Sequence, residues 1–219
     1  YLAYNKELCD DAKRRFEASP HVRVSTIHSL AYAYYHEEFD VGDSLNVSKV
    51  MSVYGVSAVH ASEMIGAFDS YCHRVIEHTA LTRTLWDDMF VRKKIPLTHD
   101  AYLKHFQLNA PALHHDIVLL DEFQDCNDCI VDIVCQQKGT MKVCVGDMYQ
   151  RLYGFRNVED PYAYIQKHKQ LDEHVVKRRL SVSFRIGFDL MYHTNLFLEN
   201  NGQDFLNSSD DDIFSCPES

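Results

Sequence analysis

Ile117-Val-Leu-Leu-Asp-Glu-Phe-Gln-Asp125 is the stretch on which the fold turns: four apolar residues run straight into two adjacent carboxylates. So short an apolar run, closed by a polar turn, reads as a strand buried on both faces, as parallel strands covered by helices are. Its C-terminal end then lies at the edge where open α/β sheets bind ligands. There one carboxylate can hold Mg²⁺ on a nucleotide while its neighbour orients and deprotonates a water, the division of labour that phosphoryl transfer needs. The plain alternative is a solvated acidic turn.

Working outward, three further apolar runs read as buried parallel strands: Tyr1 to Tyr4, Val22 to Thr26 and Val143 to Val145. After the first, Leu8, Ala12 and Phe16 recur at spacing four with Asp10, Lys13 and Arg14 between them, an amphipathic helix that Pro20 should end. After Asp125, Asn127 or Asp128 can cap a helix carrying Ile130, Val131, Ile133 and Val134. Strand, turn and helix thus repeat as an α/β fold with a parallel sheet. From about Ala33 to Leu113 the rhythm becomes helical. Ile65, Phe68, Cys72 and Val75 or Ile76 share one face, and Thr98 to Gln107 offers Asp100 near its start and Tyr102, Leu103 and Phe106 for packing. The expected organisation is an α/β core over 1–32 and 113–176, a helical insertion over 33–112, the start of a second unit over 177–199, and a tail without structure over 200–219, where Gly, Asn, Ser and Asp dominate.

Composition bounds the function classes. At 219 residues, 46% hydrophobic and 25% charged, the chain can build a sizeable core. It has no apolar run long enough to span a membrane and begins without a signal-like block, so a soluble intracellular protein without membrane contact is expected. Seven cysteines, an odd number, argue against a disulfide framework and for small apolar packing. Cys126-Asn-Asp-Cys129, with Cys135, Cys144, His114 and His115 nearby, invites a zinc reading. One pair borders a helix and Cys144 falls within a strand, so four ligands would hardly meet in one tetrahedron. The net charge of −10 weighs against nucleic-acid binding, which draws on Lys and Arg. Arg92-Lys93-Lys94 and Lys177-Arg178-Arg179 are nevertheless local basic clusters, and the tail from Asn207 to Ser219 carries Asp210, Asp211, Asp212 and Glu218 with no basic residue.

The strand over Val143 to Val145 leads into a second motif, Val145-Gly-Asp-Met-Tyr-Gln-Arg-Leu-Tyr-Gly-Phe-Arg156. This VGDxxQxxYxFR string, following a DExQD strand, resembles the third motif following the second in UvrD-like and Rep-like superfamily-one DNA helicases. Leu2-Ala-Tyr-Asn-Lys6, Val24-Ser-Thr-Ile-His-Ser-Leu-Ala31 and Leu180-Ser-Val-Ser-Phe-Arg185 resemble other motifs of that family, in the family's order. Leu85-Trp-Asp-Asp-Met and Leu97-Thr-His-Asp-Ala-Tyr-Leu-Lys resemble its F-box DNA helicase branch.

The resemblance, which runs from residue 1 to about 192, implies a RecA-like, P-loop NTPase type of sheet and a set of roles. Asp121 would bind Mg²⁺, Glu122 would be the general base, and Gln150 and Arg185 would sense the γ-phosphate, chemistry that an amide and a forked guanidinium suit. Gln124, Asp125, Asp147 and Phe184 would sit at the nucleotide, ATP. Asn5, Thr26, His28, Ser29, Tyr153, Phe155 and Arg156 would contact single-stranded DNA without reading sequence, Phe155 by stacking. Taken singly, Thr26 and Ser29 read equally as helix caps and Phe155 as a core aromatic. The family also implies duplex unwinding coupled to ATP hydrolysis, a role in DNA repair or recombination, repair or ubiquitin-ligase partners, and the nucleus as the setting in a eukaryote.

Departures from the pattern qualify this. No GxxxxGK[ST] loop occurs in the sequence, and no fifth or sixth motif follows Arg185. Without the loop's backbone amides and lysine the β- and γ-phosphates lose their main cradle. The expectation is therefore a fragment, inactive as an ATPase by itself, with apolar strand surface and sheet edge left uncovered. Phe123 stands where the family has Ala, and Asn157 where it has Gly; neither removes a catalytic group. Two other function classes remain open: a non-catalytic module binding single-stranded DNA or a partner, and an inactive remnant.

Overall fold

The computed structural model describes residues 1–42, 44–147, 150, 161–167, 175, 176, 178, 182–183, 191–196 and 207–208. They fall in two compact units, 1–173 and 174–219.

The first unit is α/β. Its strands β1 (Leu2–Ala3), β2 (Ser25–Thr26), β3 (Ile117–Leu120) and β4 (Met141–Cys144) form one parallel sheet in the order β2-β1-β3-β4. Parallel neighbours need crossovers, and helices supply them. Helix α1 (Lys6–Arg15) links β1 to β2, and α7 (Asp128–Cys135) links β3 to β4. Asn127, rather than Asp128, caps α7, its side chain accepting from the Ile130 N–H at 3.0 Å. Helix α1 closes at Arg15 with the Phe16 N–H bonded to the Ala12 carbonyl, so Pro20 lies clear of its end.

Between β2 and β3 the chain is helical: α2 (Ile27–Tyr35), α3 (Val47–Tyr54), α4 (Ala58–His73), α5 (Ala80–Phe90) and α6 (His99–Asn109). Each starts at a residue whose side chain accepts from its own first turn: Thr26, Asn46, Ser57, Thr79 and Thr98. Helix α2 runs on to Tyr35, so the segment following β2 stays packed against the sheet unit beyond residue 32. Phe68 and Cys72 are buried on α4 as expected, but the helix ends at His73 and leaves Val75 and Ile76 exposed.

Helix α6 is the hub. It packs against α2, α4 and α7, and Ala101, Tyr102, Leu103 and Phe106 are all buried. Even Lys104, 1% exposed, is drawn in; its Nζ donates to the Arg74 carbonyl at 2.8 Å and lies 4.9 Å from the centre of the Tyr71 ring, and burial lowers its pKa. Asp132 on α7 accepts from Gln107 Nε2 of α6 at 2.6 Å and from the hydroxyl of Tyr164 on α8 (Pro161–Lys167) at 2.8 Å. One apolar cluster therefore runs from β1 and β3 through the helical block.

Strand β4 departs from the expectation of a buried strand. All four residues are exposed, Met141 at 56%. The cause is position: among the described residues β4 pairs only with β3 and forms the sheet's edge. In the second unit, β5 (Val182–Ser183) pairs in parallel with β6 (Asn207–Ser208), so part of the span expected to lack structure is a strand.

Candidate functional site

The C-terminal ends of β3 and β4 bring six of the motif residues together. Asp121 follows β3 directly, and its N–H donates to the Leu2 carbonyl of β1 at 3.1 Å. One Asp121 oxygen accepts the Glu122 N–H at 3.0 Å; the other accepts the hydroxyl of Tyr1. Glu122 has φ +51° and ψ +44°, a left-handed conformation that costs a residue with a Cβ about 1 kcal/mol or more. Strain of this kind persists only where surrounding bonds hold it. Here Phe123 N–H donates to the Val145 carbonyl at 2.9 Å, and a 3-10 turn over Phe123–Asp125 is closed by the Asp125 N–H on the Glu122 carbonyl at 3.0 Å.

Gln124 is the keystone of this turn. It is 1% exposed, and both ends of its amide are used: Nε2 donates to Glu122 at 2.6 Å and the oxygen accepts the Asp147 N–H at 2.9 Å. A single buried side chain thus ties the carboxylate after β3 to the backbone after β4. Gly146 makes the approach possible, because a Cβ there would lie 2.4 Å from the Gln124 side-chain oxygen and 2.9 Å from its backbone nitrogen. Gln150 Nε2 in turn donates to Asp147 at 2.7 Å. Asp121, Glu122, Gln124, Asp125, Asp147 and Gln150 therefore share one edge. Tyr153, Phe155, Arg156, Phe184 and Arg185 lie outside the described residues. Tyr1 and Gly146 were not singled out in the sequence; a glycine immediately before an acidic residue at a strand end was the available signal for the second.

The same sheet edge continues along β1 and β2. Their register sets Ala3 opposite Thr26, so the helices that follow start side by side. Asn5 caps α1 by accepting the Leu8 N–H at 2.9 Å, and Thr26 caps α2 by accepting the Ser29 N–H at 3.1 Å. The capping role read from Thr26 alone is real, while Ser29 lies inside the helix, 2.8 Å from the Thr26 hydroxyl. Between the two helix starts is a cavity of about 340 Å³ bordered by Asn5, Lys6, Lys13, Thr26, His28 and Ser29, with Asp10 also on its wall. Two helix N-termini and two lysines border it, and Lys13 is paired with Asp10 at 3.8 Å. Burial lowers the His28 pKa; Asp100 opposes that and His99 and His73 add to it.

Among the described residues no three His, Cys, Asp or Glu side chains are grouped to hold a metal ion. That donor set offers no all-protein cage; Mg²⁺ needs only one or two carboxylates, with water and phosphate oxygens completing its shell, and the carboxylate at this edge, Asp121, already accepts from the Tyr1 hydroxyl and the Glu122 N–H. Cys126 and Cys129 are buried, and burial pushes the Cys129 thiol up to about 12 and the Cys126 thiol higher still. They pack as neutral side chains. No helix among the described residues is long and apolar enough to cross a membrane.

Comparison with known proteins agrees with this geometry. The family described as UvrD/REP helicase N-terminal domain matches residues 102–171, which contain β3, β4 and the carboxylate edge. The chain is 27% identical over 251 aligned positions to F-box DNA helicase protein 1 of Schizosaccharomyces pombe, covering 93% of this chain and 28% of that protein. It is 27% identical over 237 positions to F-box DNA helicase 1 of Gallus gallus, covering 88% of this chain and 22% of that protein. The chain thus spans about a quarter of the length of these relatives. It resembles UvrD-like helicases, and its parallel sheet flanked by helices is RecA-like.

Proposed function

We propose that this chain is part of an ATP-dependent DNA helicase or translocase that couples Mg²⁺-ATP hydrolysis to movement on single-stranded DNA and duplex unwinding. The observation that carries the proposal is the Gln124 bridge, which joins Glu122 to the backbone of Asp147. In this reading Glu122 takes the proton of the attacking water, Asp121 would hold Mg²⁺ on the phosphates, and Asp125 and Gln150 border the nucleotide. Bound Mg²⁺ would supply charge neutralisation on the phosphates. Gln124 would report the state of Glu122 to the strand end that leads into the DNA-facing segment, with Phe155, Arg156, Phe184 and Arg185 completing the set. A nuclear setting and repair or ubiquitin-ligase partners go with this proposal and rest on the resemblance alone.

These 219 residues carry no GxxxxGK[ST] loop, so by themselves they are expected to turn over ATP negligibly. The test belongs to the complete protein. Glu122→Gln should abolish ATP turnover while nucleotide binding persists; sustained unwinding by that variant would sink the assignment. A second reading, a non-catalytic single-stranded-DNA module, is favoured by the cavity between Asn5 and Thr26. Turnover by the complete protein that Glu122→Gln abolishes would exclude it.

A further inference from the structure

Helix α8 packs against α7 and against the 3-10 turn over Phe123–Asp125. Residues two apart on a helix point in different directions, so Tyr162 and Tyr164 can serve one neighbour each. Tyr164, 5% exposed, turns to α7, where its hydroxyl donates to Asp132 Oδ1 at 2.8 Å. The other Asp132 oxygen takes the side-chain amides of Gln107 and Gln136. An acceptor gripped by donors from α6 and from the end of α7 is itself fixed, so α8 is tethered to the core and not to a surface group.

Tyr162 faces the 3-10 turn. Its ring meets that of Phe123 at 4.9 Å and 88°, the edge-to-face arrangement that aromatic pairs favour. Phe123 is 1% exposed and follows Glu122 directly. Its N–H is bound to Val145, and its ring anchors the turn from the opposite side, against α8. Glu122 keeps a left-handed backbone at φ +51°, a conformation it would leave if the turn were free to move. The bridge from Gln124 to Glu122 and to the Asp147 N–H depends on that turn as well. Release of the Phe123 ring would therefore move the Glu122 carboxylate and loosen the bridge together.

We propose that Tyr162 is a positioning residue for ATP hydrolysis: it seats Phe123 and so holds Glu122 where its carboxylate can take the proton of the attacking water. This rests on the reading of Glu122 as the general base. Because Tyr162 acts through Phe123, its loss should appear in kcat and leave ATP and DNA affinity in place. A misplacement of about 1 Å can cost on the order of 100-fold in rate, so partial release of the turn should cost about tenfold or more.

The test is steady-state ATP hydrolysis by the complete protein with saturating single-stranded DNA, alongside oligonucleotide binding by fluorescence anisotropy and thermal melting. Tyr162→Ala should lower kcat about tenfold or more, with KM for ATP and Kd for a thymidine oligonucleotide within about twofold of the parent. Tyr162→Phe should restore kcat, since the ring is what seats Phe123. Should Tyr162→Ala melt below the assay temperature, Tyr162→Leu, which keeps an apolar side chain in the seat, takes its place under the same thresholds. Unchanged kcat overturns the proposal, and so does a fall in kcat matched by equal losses of ATP and DNA affinity. A Tyr162→Phe variant as slow as Tyr162→Ala gives the role to the hydroxyl and overturns the ring seat. In each of these cases parental turnover that Glu122→Gln abolishes leaves the general base standing. A complete protein that turns over no ATP, or whose Glu122→Gln variant keeps the parental rate, overturns the reading of Glu122 and the proposal with it.

Discussion

Gly146 has no room for a methyl group, because Gln124 occupies the space and is held at both ends of its amide. Gly146→Ala should therefore cost about 1–3 kcal/mol, the range for overpacking, measured by urea unfolding. Asp88 makes a second prediction at this scale. It is 2% exposed and accepts from Tyr54 at 2.7 Å and Arg92 at 2.6 Å. Burial alone would raise its pKa, but these hydrogen bonds and the cations outweigh it and hold the carboxyl below its ordinary value. A depressed folded pKa contributes stability above the unfolded value, near 3.9, and that contribution is lost as pH falls through the folded value. Asp88→Asn should thus lower the melting temperature at pH 7 by roughly 2–8 °C, and the gap to the parent should close below about pH 4. The acid edge was legible because Asp121 and Glu122 follow an apolar run directly. Gln124's grip on Asp147 was not, since residues on two strand ends meet only through the fold.

Helix starts were written in single residues. Asn46, Ser57, Thr79 and Thr98 each cap the helix that follows, and replacing Asn46 by Ala should cost about 1 kcal/mol in equilibrium unfolding. Helix ends and strand burial were less legible. Val75 and Ile76 continue the apolar spacing of α4 in the sequence, yet the helix stops at His73 and both residues meet solvent. Val143 and Met141 have the composition of a buried strand, but burial depends on neighbours that the strand does not encode. An apolar parallel edge recruits other strands. Met141→Lys should raise the concentration at which the chain self-associates, as followed by sedimentation velocity.

For the molecule as a whole, net charge and motif order pointed in opposite directions. At −10 the chain should bind DNA weakly, and among the described residues Lys6 and Lys13 are the cations bordering the cavity between the starts of α1 and α2, Lys13 being paired with Asp10. Two phosphate contacts to a single strand give a slope of about −1.4 in a log-log plot of affinity against salt, and a slope several times steeper would place the strand elsewhere. The α/β class and the carboxylate edge were readable from local runs, whereas the seat of Phe123 depends on α8, far along the chain. The same separation governs time. Leu2 of β1 pairs with Leu120 of β3, while the helices between them find many partners among themselves. Contacts between distant positions form late because the loop that closes them is long. During synthesis, then, β1 leaves the ribosome well before β3, and the pairing at the sheet's centre closes only after the helical block between them has left the tunnel.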